Sequence, residues 1–338
     1  MITGRIAGML LGALALGAGI APGAQAQDEQ ALQPLTISTG GTSGLYYNYA
    51  RTLARLMPRP KELRVIPSDG SIHNLQRLLG YETQVETETG TEEIYFQLAM
   101  VQADVLEQLR LRAEGNPILK QVVDNIKVVL PLYNEEIHVY TLADHQLKGM
   151  DDILSHPGQI NSGTTNSGTF MTVNALLQHM GAESLITGLD TSPLKPGLPN
   201  LRHGNFDVAF SVAGAGYDFG LNVPQGERVT LVPLSIPELT NGPDAPYVNA
   251  TIRAEMYPWL KHDVETLAVR ALLVTFNYDE KNPYCAEIQA LTEAYLRHQP
   301  ELANQSQSDP KWREFDRDAA LARTDLYECA RRAFETVR

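Results

Sequence analysis

Short apolar strands, small-residue turns and amphipathic helices follow one another in a fixed order along most of this chain. Residues 35–39 are an apolar strand, residues 40–44 a glycine-rich turn, and residues 45–57 a helix whose apolar side chains fall on one face. The same order recurs at residues 63–79 and 96–112. Helices that connect strands in this way cover the faces of a mostly parallel sheet, so the pattern predicts an α/β fold.

A break in this order divides the chain into two predicted lobes. At residues 133–138 one strand runs directly into the next, as expected of a strand that crosses between domains. A second α/β set follows, and we expect the chain to cross back near residues 243–248. A length of 338 residues fits about two domains. We therefore predict a discontinuous first lobe of residues 27–135 and 245–338, and a second lobe of residues 136–244.

The first 26 residues have the features of a secretory signal peptide. Arg5 and the amino terminus supply positive charge, residues 6–20 are apolar, and Ala24-Gln25-Ala26 fits the small-x-small cleavage rule. The apolar run is shorter than the roughly 20 residues that span a bilayer, and no cysteine follows it to carry a lipid. We predict a periplasmic protein that is not membrane-spanning after cleavage.

The charge balance argues against nucleic acid as a partner. Acidic side chains outnumber basic ones by 40 to 27, for a formal net charge of −13, and Lys and Arg form no stripe. Salt screens such a diffuse charge within about 10 Å. A small anionic ligand held by local dipoles is therefore compatible with the charge of the chain.

The two cysteines, Cys285 and Cys329, lie in stretches that the pattern predicts to be helical. In an exported protein they can form a disulfide, and closing that loop would stabilise the fold by roughly 4 kcal/mol in the chain-entropy model. Two free buried thiols are the alternative. Neither cysteine has a partner at the spacing of a zinc site, so we expect no metal.

Residues 81–93 fit the strand–helix order poorly. They hold five glutamates and no basic residue, and their alternation of Thr, Val and Glu suits an exposed hairpin with its turn near Gly90. We expect a solvated surface insertion. A calcium site is the alternative, but the ligand spacing of a known calcium loop is missing.

Three small-residue turns give the clearest functional signal. They are Gly40-Gly41-Thr42-Ser43-Gly44, Asp69-Gly70-Ser71 and Asn166-Ser167-Gly168-Thr169, and each precedes a predicted helix. The first turn of a helix has N–H groups without internal acceptors and about half a positive charge, so it binds carboxylate or phosphate without Lys or Arg. A plain helix cap is the alternative at each turn. Three such turns at strand-to-helix junctions in both halves favour a shared cleft, because α/β sheets bind ligands beyond the carboxyl ends of their strands.

The motifs of several enzyme classes are incomplete in this chain. Residues 163–170 have the two glycines of a phosphate-binding loop but Thr169 in place of its lysine. Residues 214–216 lack the third glycine of a dinucleotide site, and residues 41–44 lack the spacing of a nucleophile elbow. No two histidines have the zinc-protease spacing. We expect no catalytic residue and no cofactor.

Six short segments are spaced along the predicted mature chain. They are residues 39–47 (TGGTSGLYY), 70–75 (GSIHNL), 98–105 (LAMVQADV), 132–139 (LYNEEIHV), 167–169 (SGT) and 204–210 (GNFDVAF). In this order they resemble the TAXI solute-binding receptors of TRAP (tripartite ATP-independent periplasmic) transporters. The resemblance covers most of the mature chain.

This resemblance implies a two-lobed type II periplasmic-binding-protein fold, with crossover strands between lobes that close over a small organic ligand. Carried over by position, it implies ligand-binding residues at Gly40, Gly41, Thr42, Ser43, Tyr46, Ser71, Asn74 and Gln102 on one lip of the cleft and at Ser167, Gly168 and Thr169 on the other. We expect a dicarboxylate or an acidic amino acid such as glutamate as ligand, with Tyr46 or Tyr47 covering its carbon skeleton. The expected partners are TRAP permease subunits, and the receptor is expected to be a monomer.

Two other functions stay open from the sequence. A periplasmic enzyme would use the same cleft with a nucleophile such as Ser43 or Ser167, although no base is evident beside either residue. A sensor module would bind the same ligand and signal to a protein partner instead of a permease. The sequence does not separate sensing from transport.

Overall fold

Strands and helices alternate along the chain in the computed structural model, which describes residues 33–87, 90–155, 158–217, 219–240, 246–305 and 309–337. The predicted signal peptide lies outside these residues. The described strands are β1 (Leu35–Ser38), β2 (Leu63–Ile66), β3 (Gln84–Thr87), β4 (Gly90–Glu93), β5 (Leu98–Gln102), β6 (Ile126–Leu142), β7 (Ile160–Asn161), β8 (Val208–Ala213), β9 (Val229–Leu231), β10 (Tyr247–Ile252) and β11 (Val264–Phe276).

Several of the described α-helices follow strands of the main sheet. In chain order the α-helices are α1 (Leu45–Leu56), α2 (Ser71–Leu78), α3 (Ala103–Ala113), α4 (Pro117–Asp124), α5 (Met150–Ser155), α6 (Gly168–His179), α7 (Pro199–Arg202), α8 (Pro283–Asn304), α9 (Arg317–Ala322) and α10 (Glu328–Thr336). None of the helices in the described ranges combines the length and apolar character needed to cross a bilayer.

The main sheet is mixed, with strand order β2-β1-β5-β11-β6-β8-β7. β1 lies parallel to β2 and β5, and β7 lies parallel to β8, as expected of strands connected by helices. β11 is antiparallel to both of its neighbours, β5 and β6. Two further strands pair outside this order: β10 with β11 and β9 with β6, both antiparallel. The predicted α/β class is confirmed, with antiparallel pairing where the two long strands meet.

The two long strands, β6 and β11, pass through both halves of the molecule. Leu130 of β6 and Leu273 of β11 pack in one hydrophobic core with side chains of β1 and α1. Further along the same strands, Ile137 and Leu267 pack in another core with side chains of α6 and β8. The molecule therefore has two lobes joined by crossover strands, as the sequence predicted.

The chain returns to the first lobe at a different place from the one expected from the sequence. Tyr247, Ile252 and Trp259 are buried in the cores of the second lobe, although they fall inside the segment 245–338 assigned to the first. β10 pairs with the part of β11 that belongs to the second lobe. The chain therefore crosses back within β11 instead of near residues 243–248. The apolar run of β11 is continuous because it is buried in both lobes, so it marks no boundary.

The acidic segment forms the predicted hairpin, but it is tied to the first lobe. β3 and β4 pair antiparallel, and Val85 packs with Ile94 in a small apolar cluster against β2. Glu82 and Glu92 form ion pairs with arginines of α2 and β2 at 2.9 and 2.8 Å. Gly90 begins the second strand. Glu82 and Glu92 thus have basic partners on neighbouring elements, although the segment itself contains no basic residue.

Cys285 of α8 and Cys329 of α10 form a disulfide, with their Cα atoms 5.6 Å apart. Both cysteines are buried in the first-lobe core. The bond joins the two helices that cover this core near the end of the chain.

Candidate functional site

A cavity of about 620 Å³ lies where the helix starts of both lobes meet. The first turns of α1 and α2 and the junction of β5 with α3 line it from the first lobe, and the start of α6 lines it from the second. Each of these helices follows a strand, so its amino-terminal N–H groups point beyond the strand ends. The orphan N–H groups of several helices therefore face one space.

Eight of the eleven predicted ligand-binding residues line this cavity. They are Gly41, Ser43, Tyr46, Ser71, Gln102, Ser167, Gly168 and Thr169. Gly40, Thr42 and Asn74 lie outside the lining. Tyr46 lines the cavity, whereas the alternative Tyr47 is not part of the lining and accepts a hydrogen bond from Arg51 on the outer face of α1.

Asn74 has a structural role inside the first lobe. Its amide donates to the carbonyl oxygens of Thr39 and Met100, and its side-chain oxygen accepts from Ser38 and Ser68. The residue is fully buried. It therefore connects β1, β5 and the turn before α2, and so fixes the floor beneath the helix starts.

Three predicted hydroxyl donors are already used to position the helices. The Ser71 Oγ accepts from the N–H of Gln102 at 3.1 Å, and the Thr169 Oγ1 accepts from the N–H of Val212 at 3.0 Å. The Ser167 Oγ caps α6 by accepting from the N–H of Phe170. The Ser167 hydroxyl also donates to the carbonyl oxygen of Thr164. The Ser71 and Thr169 hydroxyls accept these bonds and keep their own hydrogens, so they can add donors to the main-chain amides of the turns. Ser43, by contrast, lies exposed at the cavity.

The two lobes touch at the start of α6. A side chain at Gly168 would overlap the Gln102 Oε1 and approach the Ser71 Oγ to 2.9 Å, so any larger residue here requires the buried Gln102 side chain to shift. Gly70 also lies against Ser167, and its φ of +123° is a backbone conformation that favours glycine. The Gln102 Oε1 is buried and has no hydrogen-bond partner among the described residues. This amide oxygen belongs to a residue that lines the cavity, and it can still accept a hydrogen bond.

Glu135 in β6 is a lining residue that the sequence analysis did not select. The Tyr46 hydroxyl donates to its Oε2 at 2.7 Å, and only 5% of the residue is exposed. Burial, with a smaller contribution from the nearby Asp104 carboxyl, raises the pKa of the Glu135 carboxyl to about 8. At neutral pH this carboxyl is mostly uncharged. In the sequence, Glu135 could have been recognised because it and Glu136 are two adjacent glutamates in the middle of an apolar strand.

Asp104, at the start of α3, forms a second link between elements of the two lobes. Its Oδ2 accepts from the Thr172 Oγ1 at 2.6 Å and from the Tyr247 hydroxyl at 2.9 Å. Burial raises the pKa of the Asp104 carboxyl, and the hydrogen bonds from Thr172 and Tyr247 oppose that shift. This carboxyl therefore joins α3 to α6 and β10 behind the cavity.

Lys311 braces the crossing strand from the carboxyl-terminal segment. Its ammonium donates to the Glu136 carboxylate at 2.6 Å and to the Glu314 carboxylate at 2.8 Å. The other Glu136 oxygen accepts from the N–H of Ala215 in the loop after β8. Because Lys311 and Glu136 are both buried, losing Lys311 would leave the Glu136 carboxylate without a cationic partner.

An apolar wall on the second-lobe side of the cavity was also missed. Its residues come from the segment between α6 and α7 and from the loop after β8, and they are Pro193, Leu194, Pro196, Tyr217, Phe219 and Leu221. No role was predicted for these residues from the sequence. Within the described residues, no group of three or more His, Cys, Asp or Glu side chains is placed to hold a metal ion.

Comparison with protein families places the chain in a known group. A family model described as the NMT1-like family matches residues 37–335, which is most of the sequence. The chain belongs to the NMT1-like family. The match includes both lobes of this NMT1-like protein and all the elements that line the cavity.

The NMT1-like chain is also similar to solved structures of low sequence identity. The ligand-binding component of an ABC-type import system from Staphylococcus aureus, with zinc bound, is 10% identical over 90% of this chain and 84% of that chain, with a TM-score of 0.45. The amino acid ABC transporter substrate-binding protein AbpA from Streptococcus pneumoniae, bound to L-arginine, is 10% identical over 85% and 94%, with a TM-score of 0.40. The effector-binding domain of QuiR in complex with shikimate is 12% identical over 79% and 96%, with a TM-score of 0.42.

Proposed function

We propose that this protein is an extracytoplasmic solute-binding protein that captures a small organic anion in the cleft between its lobes and delivers it to a TRAP-type permease. One observation carries the proposal. Helix starts from both lobes open onto the same 620 Å³ cavity. A carboxylate placed there accepts hydrogen bonds from main-chain amides and is stabilised by the helix dipoles.

Closure follows from contacts that the ligand makes with both lobes. An anion held only by α1 and α2 would bind the open and closed forms equally and would shift no equilibrium. The start of α6 adds donors from the second lobe, so the closed form binds the anion more tightly. The near contact of Gly168 with Gln102 lets these donors approach.

Binding without catalysis is the second part of the proposal. The Ser167 hydroxyl donates to the carbonyl oxygen of Thr164 at 2.7 Å, so it is oriented into its own turn. The cavity lining within the described residues includes no histidine that could activate Ser43. Release of an unchanged ligand is therefore the expected outcome.

The partner and the location rest on the sequence. The six segments that resemble TAXI receptors support a TRAP permease as partner, and the predicted signal peptide supports a periplasmic location. A dicarboxylate or an acidic amino acid is the ligand class that the sequence suggested. The residues that line the cavity give further information on this ligand class.

The test begins with the ligand. Native mass spectrometry of the purified protein and a thermal-shift screen of organic acids should each identify a bound acid, and that acid should be recovered unchanged after incubation. Ser43→Ala should weaken its binding by about 10- to 100-fold, the usual cost of a donor to a charged group. Thr42→Ala removes the neighbouring hydroxyl outside the lining and should have little effect. Failure of every organic acid to bind would contradict the proposal, and a chemically altered ligand would favour an enzyme.

A further inference from the structure

The cavity has two chemically different sides. The helix starts and Glu135 make one side polar, whereas the segment between α6 and α7 and the loop after β8 make the other side mostly apolar. The apolar side comes entirely from the second lobe. A ligand that fills the cavity must therefore match both kinds of surface.

The charges around the cavity suit a single carboxylate. The described lining residues include no Lys or Arg, and their ionisable carboxyls are those of Asp69 and Glu135. A second carboxylate placed away from the helix starts would meet apolar side chains, one of these carboxyls, or neutral polar groups such as Ser211 and Asn222, but no cation. It would lose its water without gaining an ionic partner.

The apolar wall exposes surface that a ligand would cover. Leu221 is 42% exposed, and of the large exposed hydrophobic side chains in the described ranges it alone lines the cavity. Covering such surface is favourable in proportion to the apolar area removed from water. The volume of about 620 Å³ lies well within the range of about 300–1,000 Å³ that encloses larger small molecules. A short diacid would leave the wall in contact with water.

We propose that the ligand is a monocarboxylic acid with an apolar body, rather than a diacid. Its carboxylate lies at the helix starts, and its aliphatic or aromatic body lies against Leu194, Phe219 and Leu221. This inference rests on the proposed function, since it narrows the organic anion to one class.

Two matched series of probes test this assignment by isothermal titration calorimetry on the full mature chain. One series runs from butanoate to octanoate, and the other consists of the diacids of the same chain lengths. The monoacids should gain about fourfold in affinity for each added methylene group that the wall covers. Diacids of equal length should bind at least about tenfold more weakly.

Two variants tie the gain to the wall. Leu221→Ala should reduce the gain per methylene group in the monoacid series. Val248→Ala is the matched control, because Val248 is also 42% exposed but lies on β10 outside the lining. This variant should bind the series like the parent protein.

The outcomes separate this inference from the proposed function. Diacids that bind as tightly as monoacids of equal length would overturn the inference and leave anion capture standing. Equal effects of Leu221→Ala and Val248→Ala would also overturn it. Binding of neither series, together with no acid from the broader screen, would overturn the proposed function itself.

Discussion

Replacing Glu135 by glutamine should stabilise the protein, and more so as the pH rises. Glu135 is buried beside the cavity, where the Tyr46 hydroxyl donates to its carboxyl. Glutamine has nearly the same size, and its amide oxygen can accept the same hydrogen bond, but it does not ionise. The substitution therefore removes the titration of this group with little change in packing.

The magnitude follows from the shifted pKa. Burial raises the pKa of Glu135 from its ordinary value of about 4.5 to about 8 in the folded protein. Between these values the folded form holds a proton that the unfolded form has released, so the free energy of unfolding falls as pH rises. The loss is about 1.4 kcal/mol per pH unit, which gives about 3 kcal/mol at pH 7. Above about pH 8 the loss levels off, because both forms are then ionised.

Urea unfolding of the parent and of Glu135→Gln measures this effect directly. The difference in the free energy of unfolding should grow by about 1.4 kcal/mol per unit between about pH 5 and 8, in favour of the variant. Glu183→Gln, at an exposed position, controls for the substitution itself. A difference that stays constant over this pH range would refute the reasoning, because it would mean that burial does not raise the pKa.

Two further predictions concern the disulfide and the contact between the lobes. Replacing Cys285 and Cys329 by serine should lower the free energy of unfolding by about 4 kcal/mol, because the disulfide joins cysteines that are 44 residues apart in sequence. Urea unfolding under oxidising conditions measures this loss. A loss below about 1 kcal/mol would contradict the prediction. Gly168→Ala should destabilise the protein by about 1–3 kcal/mol because the new methyl group overlaps the buried Gln102 side chain and forces it to shift, whereas Gly41→Ala, whose added methyl group meets nothing within 4 Å, should be neutral. Equal melting temperatures for these two variants would show that Gln102 does not constrain position 168.

The helix starts around the cavity could be predicted because their signals are local. Glycine, serine and threonine between an apolar strand and an amphipathic helix identify such a start without any tertiary information. Gly168 and Ser71 were found in this way. Their individual roles were less predictable, because the neighbour that uses each hydroxyl lies far away in sequence. Asn74 resembles a ligand-binding residue in sequence but is used entirely inside the first lobe.

The features that the sequence analysis missed depend on long-range packing. Glu135 is distinctive because of what surrounds it in the folded sheet, and those neighbours come from α1, β5 and the carboxyl-terminal segment. The apolar wall combines two loops whose residues are far apart, and neither loop has a periodic pattern. The return crossover was misplaced for a related reason, since a strand buried in both lobes has no polar break where it passes between them.

The sharing of β6 and β11 bears on how this protein unfolds. Each lobe is incomplete without strands that also serve the other, so neither is an independent folding unit. A fragment of residues 136–244 would lack β10 and β11, whose Tyr247, Leu267 and Val269 pack in the second-lobe core, so apolar side chains of that core would be exposed and prone to aggregation. We therefore expect one cooperative transition for the described lobes, and proteolytic removal of either half should leave an insoluble remainder.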